Sequence, residues 1–254
     1  MIDSFLLSLI TVIFVGGATA YLGSLMIAKR MALVGDALGH VALPGMGLAL
    51  LLGLNVSLGA FIFLILGILL IWYFEMKTSL PMETLVGVVF VTSLAIGFLI
   101  VPEVELLEAL FGDIAKVTLR GAILSVVLSF ASIFVISMIY SKLVMANISE
   151  DLAKAEGVNI KKYNLIYLML IAVVVALGIK VTGTLLVGAL VIVPAAAAKN
   201  FSKNLKQYTY GSLAIGAISG VAGMLLYNLT GFPAGPLIVL VSCVFFLISL
   251  FLKR

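Results

Sequence analysis

The chain has 254 residues, 64% of them hydrophobic and 10% charged, with a net charge of +4 and a mean hydropathy of +1.34. A soluble domain is about half apolar and a quarter charged, so an ordinary water-soluble fold and any sizeable disordered tail are excluded. The apolar residues form long runs without strand alternation, which predicts an all-α polytopic membrane bundle, and about 20 residues per crossing admits roughly eight to ten spans.

The first predicted span, 5–28, has no basic residue before it and meets Lys29 and Arg30 at its far end. A secretory signal carries its positive charge in front, so this run is expected to be retained with its N-terminus outside. Further spans are predicted at 31–54, 56–74, 84–101, 121–140, 164–179, 184–198, 208–229 and 235–252. They number nine, or eight if the short pair around Lys180 and Gly183 is a re-entrant hairpin. Alternation from an outside N-terminus puts twelve basic residues inside (Lys29, Arg30, Lys77, Lys142, Lys154, Lys161, Lys162, Lys199, Lys203, Lys206, Lys253, Arg254) and leaves Lys116, Arg120 and Lys180 outside. That bias matches the positive-inside rule and sets the C-terminus in the cytoplasm of a multi-pass cytoplasmic-membrane protein. The positive charge therefore describes topology, and no basic, aromatic-lined surface speaks for a nucleic-acid partner.

Two loops stand out. The outside segment after Pro102 holds Glu103, Glu105, Glu108 and Asp113, and its Leu106, Leu107, Leu110 and Phe111 suit a short interfacial helix. The acids are either a mouth that concentrates cations or the ordinary solvated residues of an outside loop. The inside segment, about 142–163, predicts a short helix with Ser149 as N-cap, Glu150 and Asp151 in the first turn and Gly157 as its stop. It reads as a connector or as a docking element for a partner.

Ionisable residues within a span are functional candidates by default. The second span carries Gly35-Asp36-Ala37-Leu38-Gly39-His40-Val41-Ala42-Leu43-Pro44-Gly45. Counted from Arg30, Asp36 lies roughly 9 Å and His40 roughly 15 Å into a hydrocarbon core about 30 Å thick. A spacing of four puts both side chains on one helix face, where a carboxylate and an imidazole are able to converge on one cation. Gly35 and Gly39 form a small-residue face for close helix approach, and Pro44 has no N–H to give the carbonyl of His40, leaving that oxygen free. The pair reads as a metal or substrate site, a hydrogen-bonded clasp or a proton relay. His40 is the only histidine, so one chain offers few ligands for a transition metal, whereas two chains related by a two-fold axis supply two Asp and two His. No P-loop and no His-Glu-x-x-His is present and no second Asp lies well inside a predicted span for intramembrane hydrolysis, which argues against an enzyme and for a carrier or channel driven by a gradient or a partner.

The run Gly35–Gly45 resembles the signature of the permease subunits of the ABC-3 family of zinc and manganese (or iron) uptake transporters. The likeness continues in 110–114 (Leu-Phe-Gly-Asp-Ile), 153–157 (Ala-Lys-Ala-Glu-Gly), 182–197 and 233–241, in the family's order. The resemblance implies a single permease domain over 1–254 that works as a dimer. It also implies a cytoplasmic ATPase pair and an extracytoplasmic solute-binding protein, with no permanently bound cofactor and Zn²⁺ or Mn²⁺ as cargo. On this likeness Asp36 and His40 bind the metal, and Glu150, Asp151, Ala153, Ala155 and Gly157 belong to a coupling helix for the ATPase. Serines common beside the signature acid and histidine in many relatives are Gly35 and Gly39 here. The competing expectations are a gradient-driven cation carrier or channel using Asp36 and His40 as a proton relay, and a scaffold without transport.

Overall fold

The structure, a computed structural model, describes residues 4–100, 114 and 117–251. The acids Glu103, Glu105, Glu108 and Asp113 lie outside the described residues. Among the described residues the fold is entirely helical: α1 (Ser4–Ala28), α2 (Val34–Val41), α3 (Leu43–Leu51), α4 (Val56–Lys77), α5 (Met82–Ile100), α6 (Leu119–Ile148), α7 (Glu150–Ala155), α8 (Ile160–Phe201), α9 (Leu205–Thr230) and α10 (Ala234–Phe251). Among the described residues, eight helical segments are long and apolar enough to cross a membrane, with α2 and α3 forming one span. Large apolar side chains such as Leu99, Leu229 and Phe251 stand exposed around the bundle, as a lipid solvent requires.

Short polar residues start the helices. Asn55, Thr118, Ser149, Asn159 and Asn204 each accept a backbone N–H from the third residue on, closing the first turns of α4, α6, α7, α8 and α9. Buried Thr19, Ser212 and Ser242 bond back to carbonyls of their own helices, so their hydroxyls are satisfied away from water. Helix α1 runs through the middle of the bundle. Gly16 on α1 and Gly216 on α9 face each other so closely that a Cβ on either would sit within 3 Å of the other's carbonyl oxygen.

The 42-residue α8 is not one rod. Gly183 has φ +78° and ψ 176°, a conformation open in practice only to glycine. A Cβ at Gly178 would meet Val187 at 2.6 Å, although nine residues along a continuous helix span about 13 Å. The element is therefore a helical hairpin with arms 160–182 and 184–201, about 34 and 27 Å long at 1.5 Å per residue, comparable to the hydrocarbon core. At the open end of the hairpin, Asn164 on the first arm accepts from Lys29 and Asn200 on the second donates to Ser249. The tip, Thr182 to Thr184, is buried, and the adjacent Leu177 and Val181 pack in a cluster with Val12, Val15 and Ile114. The two short apolar runs predicted around Lys180 are thus antiparallel arms joined without a loop.

Helix α6 runs two turns beyond its predicted end, to Ile148, because Leu143 is buried and Asn147 Nδ2 donates to the carbonyl of Ala28 at 3.1 Å. The connection to α8 shrinks to 149–159 and contains α7. There Ser149 caps the helix, Ala153 is fully buried, and Gly157, at φ +73°, ends it with Val158 N–H bonded to the Ala153 carbonyl. Leu152 and Ile148 remain exposed beside it.

Candidate functional site

The turn from α1 to α2 sets the depth of the acid–histidine pair. Arg30 takes the left-handed conformation (φ 58°), Met31 N–H bonds the Met26 carbonyl at 2.8 Å, and α2 starts at Val34. Asp36 then falls in the first turn of α2 and His40 in the last, both half-buried on one face. Pro44 separates α2 from α3. It leaves the His40 carbonyl without its helical donor, but that oxygen is not free as the sequence suggests, because the N–H of Ala42 reaches it at the break.

The imidazole turns to the backbone. His40 Nδ1 lies 3.1 Å from the carbonyl oxygen of Asp36, a bond that requires the proton on Nδ1 and leaves the Nε2 lone pair available. The ring meets Phe90 of α5 edge-on at 5.3 Å. Asp36 and His40 therefore do not close on each other as a carboxylate–imidazole clasp, and among the described residues no hydrogen bond or ion pair occupies the Asp36 carboxylate. Both groups keep ligand capacity. Among the described residues, no three His, Cys, Asp or Glu side chains gather closely enough to hold a metal ion.

The second arm of α8 fixes the pair from behind. Gly188 lies so near Asp36 that an added Cβ would sit 2.5 Å from the Asp36 Cβ and 2.7 Å from its Oδ1. Gly39 lies likewise against Val187 and the Thr184 carbonyl, at 2.6 and 2.7 Å. The predicted small-residue face of α2 is the face that meets this arm. A side chain at Gly39 has no room here, since Val187 fills the volume, whereas Gly35 meets only ordinary contacts at 3.4 Å and beyond.

On the open side, α2 and α5 enclose a cleft of about 190 Å³. Its walls are apolar apart from Asp36 and Glu83, the latter in the first turn of α5. By sequence Glu83 reads as a loop residue, because it lies at the edge of a predicted span. Its signal was there to read as the only ionisable residue of α5.

A second polar constellation ties the basic ends of three helices together. Lys29 Nζ donates to Asn164 Oδ1 at 2.7 Å, and Asn164 Nδ2 donates to Glu75 Oε1 at 2.8 Å, linking the end of α1, the end of α4 and the start of α8. Lys29 also lies 5.1 Å from the centre of the Tyr167 ring. Burial lowers the Lys29 pKa from its ordinary value of 10.5, while the carboxylates of Glu75 and Glu150 oppose that shift. This network borders the α6–α7 connection through Asn147 and through Lys142, whose Nζ donates to the Tyr163 hydroxyl at 2.6 Å. The Glu150–Lys154 pair on α7 is exposed on both sides and adds little stability.

The described residues thus form a membrane-type helical bundle in which an acid and a histidine, one helical turn apart, border a cleft between two helices. Residues 1–253 match the model of the ABC 3 transport family, and the chain belongs to that family. Among similar proteins, a manganese import system permease protein ScaB from Streptococcus parasanguinis is 30% identical over 249 residues, covering 96% of this chain and 89% of that protein. A high-affinity zinc uptake system membrane protein ZnuB from Haemophilus influenzae is 31% identical over 256 residues, covering 97% of both. The solved structure of PsaBC from Streptococcus pneumoniae in complex with Fab superposes with a TM-score of 0.84 at 31% identity, over 97% of this chain and 91% of that one. An inward-facing metal-chelate type ABC transporter, 18% identical with a TM-score of 0.80 over 97% of this chain and 85% of that one, shares the fold. The chain is thus a multi-pass membrane protein of an ABC transport system.

Proposed function

We propose that this chain is the transmembrane subunit of an ATP-driven importer of a divalent transition metal, Mn²⁺ or Zn²⁺, and that Asp36 and His40 bind the ion in transit. The observation that carries the reading is the Asp36 carboxylate, without a hydrogen bond or ion pair among the described residues, one turn from a histidine whose Nδ1 is tied to backbone, which leaves the Nε2 lone pair available. A hard carboxylate oxygen and an imidazole nitrogen suit both metals. The manganese and zinc relatives make these two the first candidates.

Two ligands hold such an ion weakly. A second copy of the chain, related by a two-fold axis, would complete a set of two Asp and two His, and the position of the pair beside a surface cleft rather than in the bundle centre supports that arrangement. The ATP is hydrolysed by a separate cytoplasmic ATPase pair, and an extracytoplasmic solute-binding protein delivers the metal. The exposed Leu152 and Ile148, with Glu150 and Asp151, make α7 the element on which the ATPase docks, and Ala155 and Gly157 shape its end. The basic face, with Lys29, Lys77 and Lys142, is then cytoplasmic and the N-terminus outside.

The test is uptake of radioactive Mn²⁺ and Zn²⁺ in cells lacking their own high-affinity system. Asp36→Ala and His40→Ala are expected to abolish uptake while the protein still reaches the membrane. Normal uptake in both variants overturns the assignment, and cation movement by the purified chain alone, without an ATPase, overturns the ATP-driven mechanism.

A further inference from the structure

We propose that Glu83 is a release-side specificity residue, which takes the metal ion from Asp36 and passes it toward the cytoplasm; this rests on the reading of Asp36 and His40 given above. Helices α2 and α5 run side by side with their N-terminal turns at the same end of the cleft. Phe90 packs on His40 at 5.3 Å, and Glu83 lies seven residues earlier on α5, about 10 Å nearer that end along the axis. Asp36 sits between them, about 6 Å along α2 from His40. The order from membrane depth to the basic face is therefore His40, Asp36, Glu83. The last two line one continuous cleft whose other walls offer no polar side chain.

An ion leaving Asp36 through such a cleft exchanges a charged ligand for apolar walls before it reaches bulk water. The desolvation cost of that step is large, and a carboxylate at the mouth lowers it by offering the next oxygen before the last is lost. The exposure of Glu83 fits this role. A hydrated, exposed carboxylate is a poor permanent ligand, so it accepts the ion and yields it to water. The register also predicts selectivity at the rate step. A carboxylate-only station favours harder Mn²⁺ relative to Zn²⁺ more than the mixed oxygen–nitrogen site does.

The experiment uses the permease assembled with its ATPase and binding protein in proteoliposomes, with Mn²⁺ and Zn²⁺ as the two probes. Glu83→Gln is expected to lower the saturating uptake rate about tenfold. Its half-saturating concentration and its equilibrium Mn²⁺ binding should stay within about twofold of wild type. Glu83→Asp is expected to restore most of the rate, and the Mn²⁺ rate is expected to fall further than the Zn²⁺ rate in Glu83→Gln. Gly87 lines the same cleft and its Cβ would meet open space, so Gly87→Lys starts a basic side chain at the cleft wall without a Cβ clash and is expected to slow uptake in the same way. Should Glu83→Gln not accumulate in the membrane, Gly87→Lys decides. Wild-type rates in the variant that decides overturn the proposal, as does loss of equilibrium binding in Glu83→Gln as complete as in Asp36→Asn. Unchanged binding in Asp36→Asn refutes the Asp36 site itself, a result independent of the Glu83 rate.

Discussion

Gly188→Ala tests whether the hairpin arm holds Asp36 in place. The new methyl carbon would stand 2.5 Å from Asp36 Cβ, 2.7 Å from Oδ1 and 2.8 Å from Cα. Carbon–carbon contacts are comfortable at about 3.5–4.0 Å, so a gap of roughly 1 Å has to open. Two of the three opposing atoms are on or next to the backbone of α2, which leaves rotation of the Asp36 side chain insufficient as a remedy. Either α2 moves off the arm or Asp36 swings into the cleft. Overpacking of this kind costs about 1–3 kcal/mol, and metal–ligand distances tolerate only about ±0.2 Å. If that energy is taken from metal binding, affinity falls about 5- to 150-fold. The assay is Mn²⁺ binding to the purified permease and uptake by the assembled transporter, with membrane-located protein quantified in parallel. Gly87→Ala is the matched control, since it adds a methyl on the open, cleft side of Asp36 where the Cβ meets nothing, and it is expected to leave both readouts unchanged. Binding and uptake in Gly188→Ala within about twofold of wild type would refute the claim that this contact positions the carboxylate.

Four further outcomes are expected. Gly183→Ala forces a Cβ into the backbone conformation at the hairpin tip and should destabilise the fold by about 1–3 kcal/mol, read as a lower melting temperature in detergent and reduced membrane yield. Ser149→Ala removes the α7 cap, whose oxygen accepts the Leu152 N–H at 3.2 Å, at a cost of about 1 kcal/mol. Transport-coupled ATP hydrolysis should weaken while metal binding by the permease persists. Lys29→Met should destabilise the protein by taking the donor from Asn164 Oδ1, and Glu75→Gln by removing the negative charge that favours the part-buried Lys29 ammonium, and the double variant should cost less than the sum of the two, as a double-mutant cycle would show. The pH dependence follows from the lowered Lys29 pKa. Between its folded value and 10.5 the unfolded chain binds more protons, so this residue's contribution makes stability rise with pH across that window, and Lys29→Met should flatten that rise in pH-dependent melting.

Much of the molecule is legible one residue at a time. The spans follow from hydropathy because lipid leaves no solvent for an unpaired backbone group, and helices satisfy their own. Ser149 and Gly157 bracket a short helix by local chemistry that needs no tertiary partner, and the structure places both as caps of α7. Asp36 and His40 stand out because an ionisable residue at membrane depth is costly. Other features depend on what arrives from elsewhere in the chain. The extra two turns of α6 rest on Leu143 burial and on Asn147 reaching Ala28, 119 residues away. The His40 carbonyl, which loses its helical donor at Pro44, is reached by the Ala42 N–H at the break between α2 and α3.

The sequence by itself determined that this protein lives in a membrane, roughly where its apolar segments fall and that Asp36 and His40 share one face of a span as candidates for its chemistry, since those depend on transfer energies and helical spacing alone. Tertiary structure decided the rest. It folded α8 back at Gly183, pressed Gly188 against Asp36, turned His40 to its own backbone and brought Glu83 into the same cleft. These are contacts between segments remote in the chain, and their geometry is set by which helix surfaces fit together, a property that no local pattern encodes.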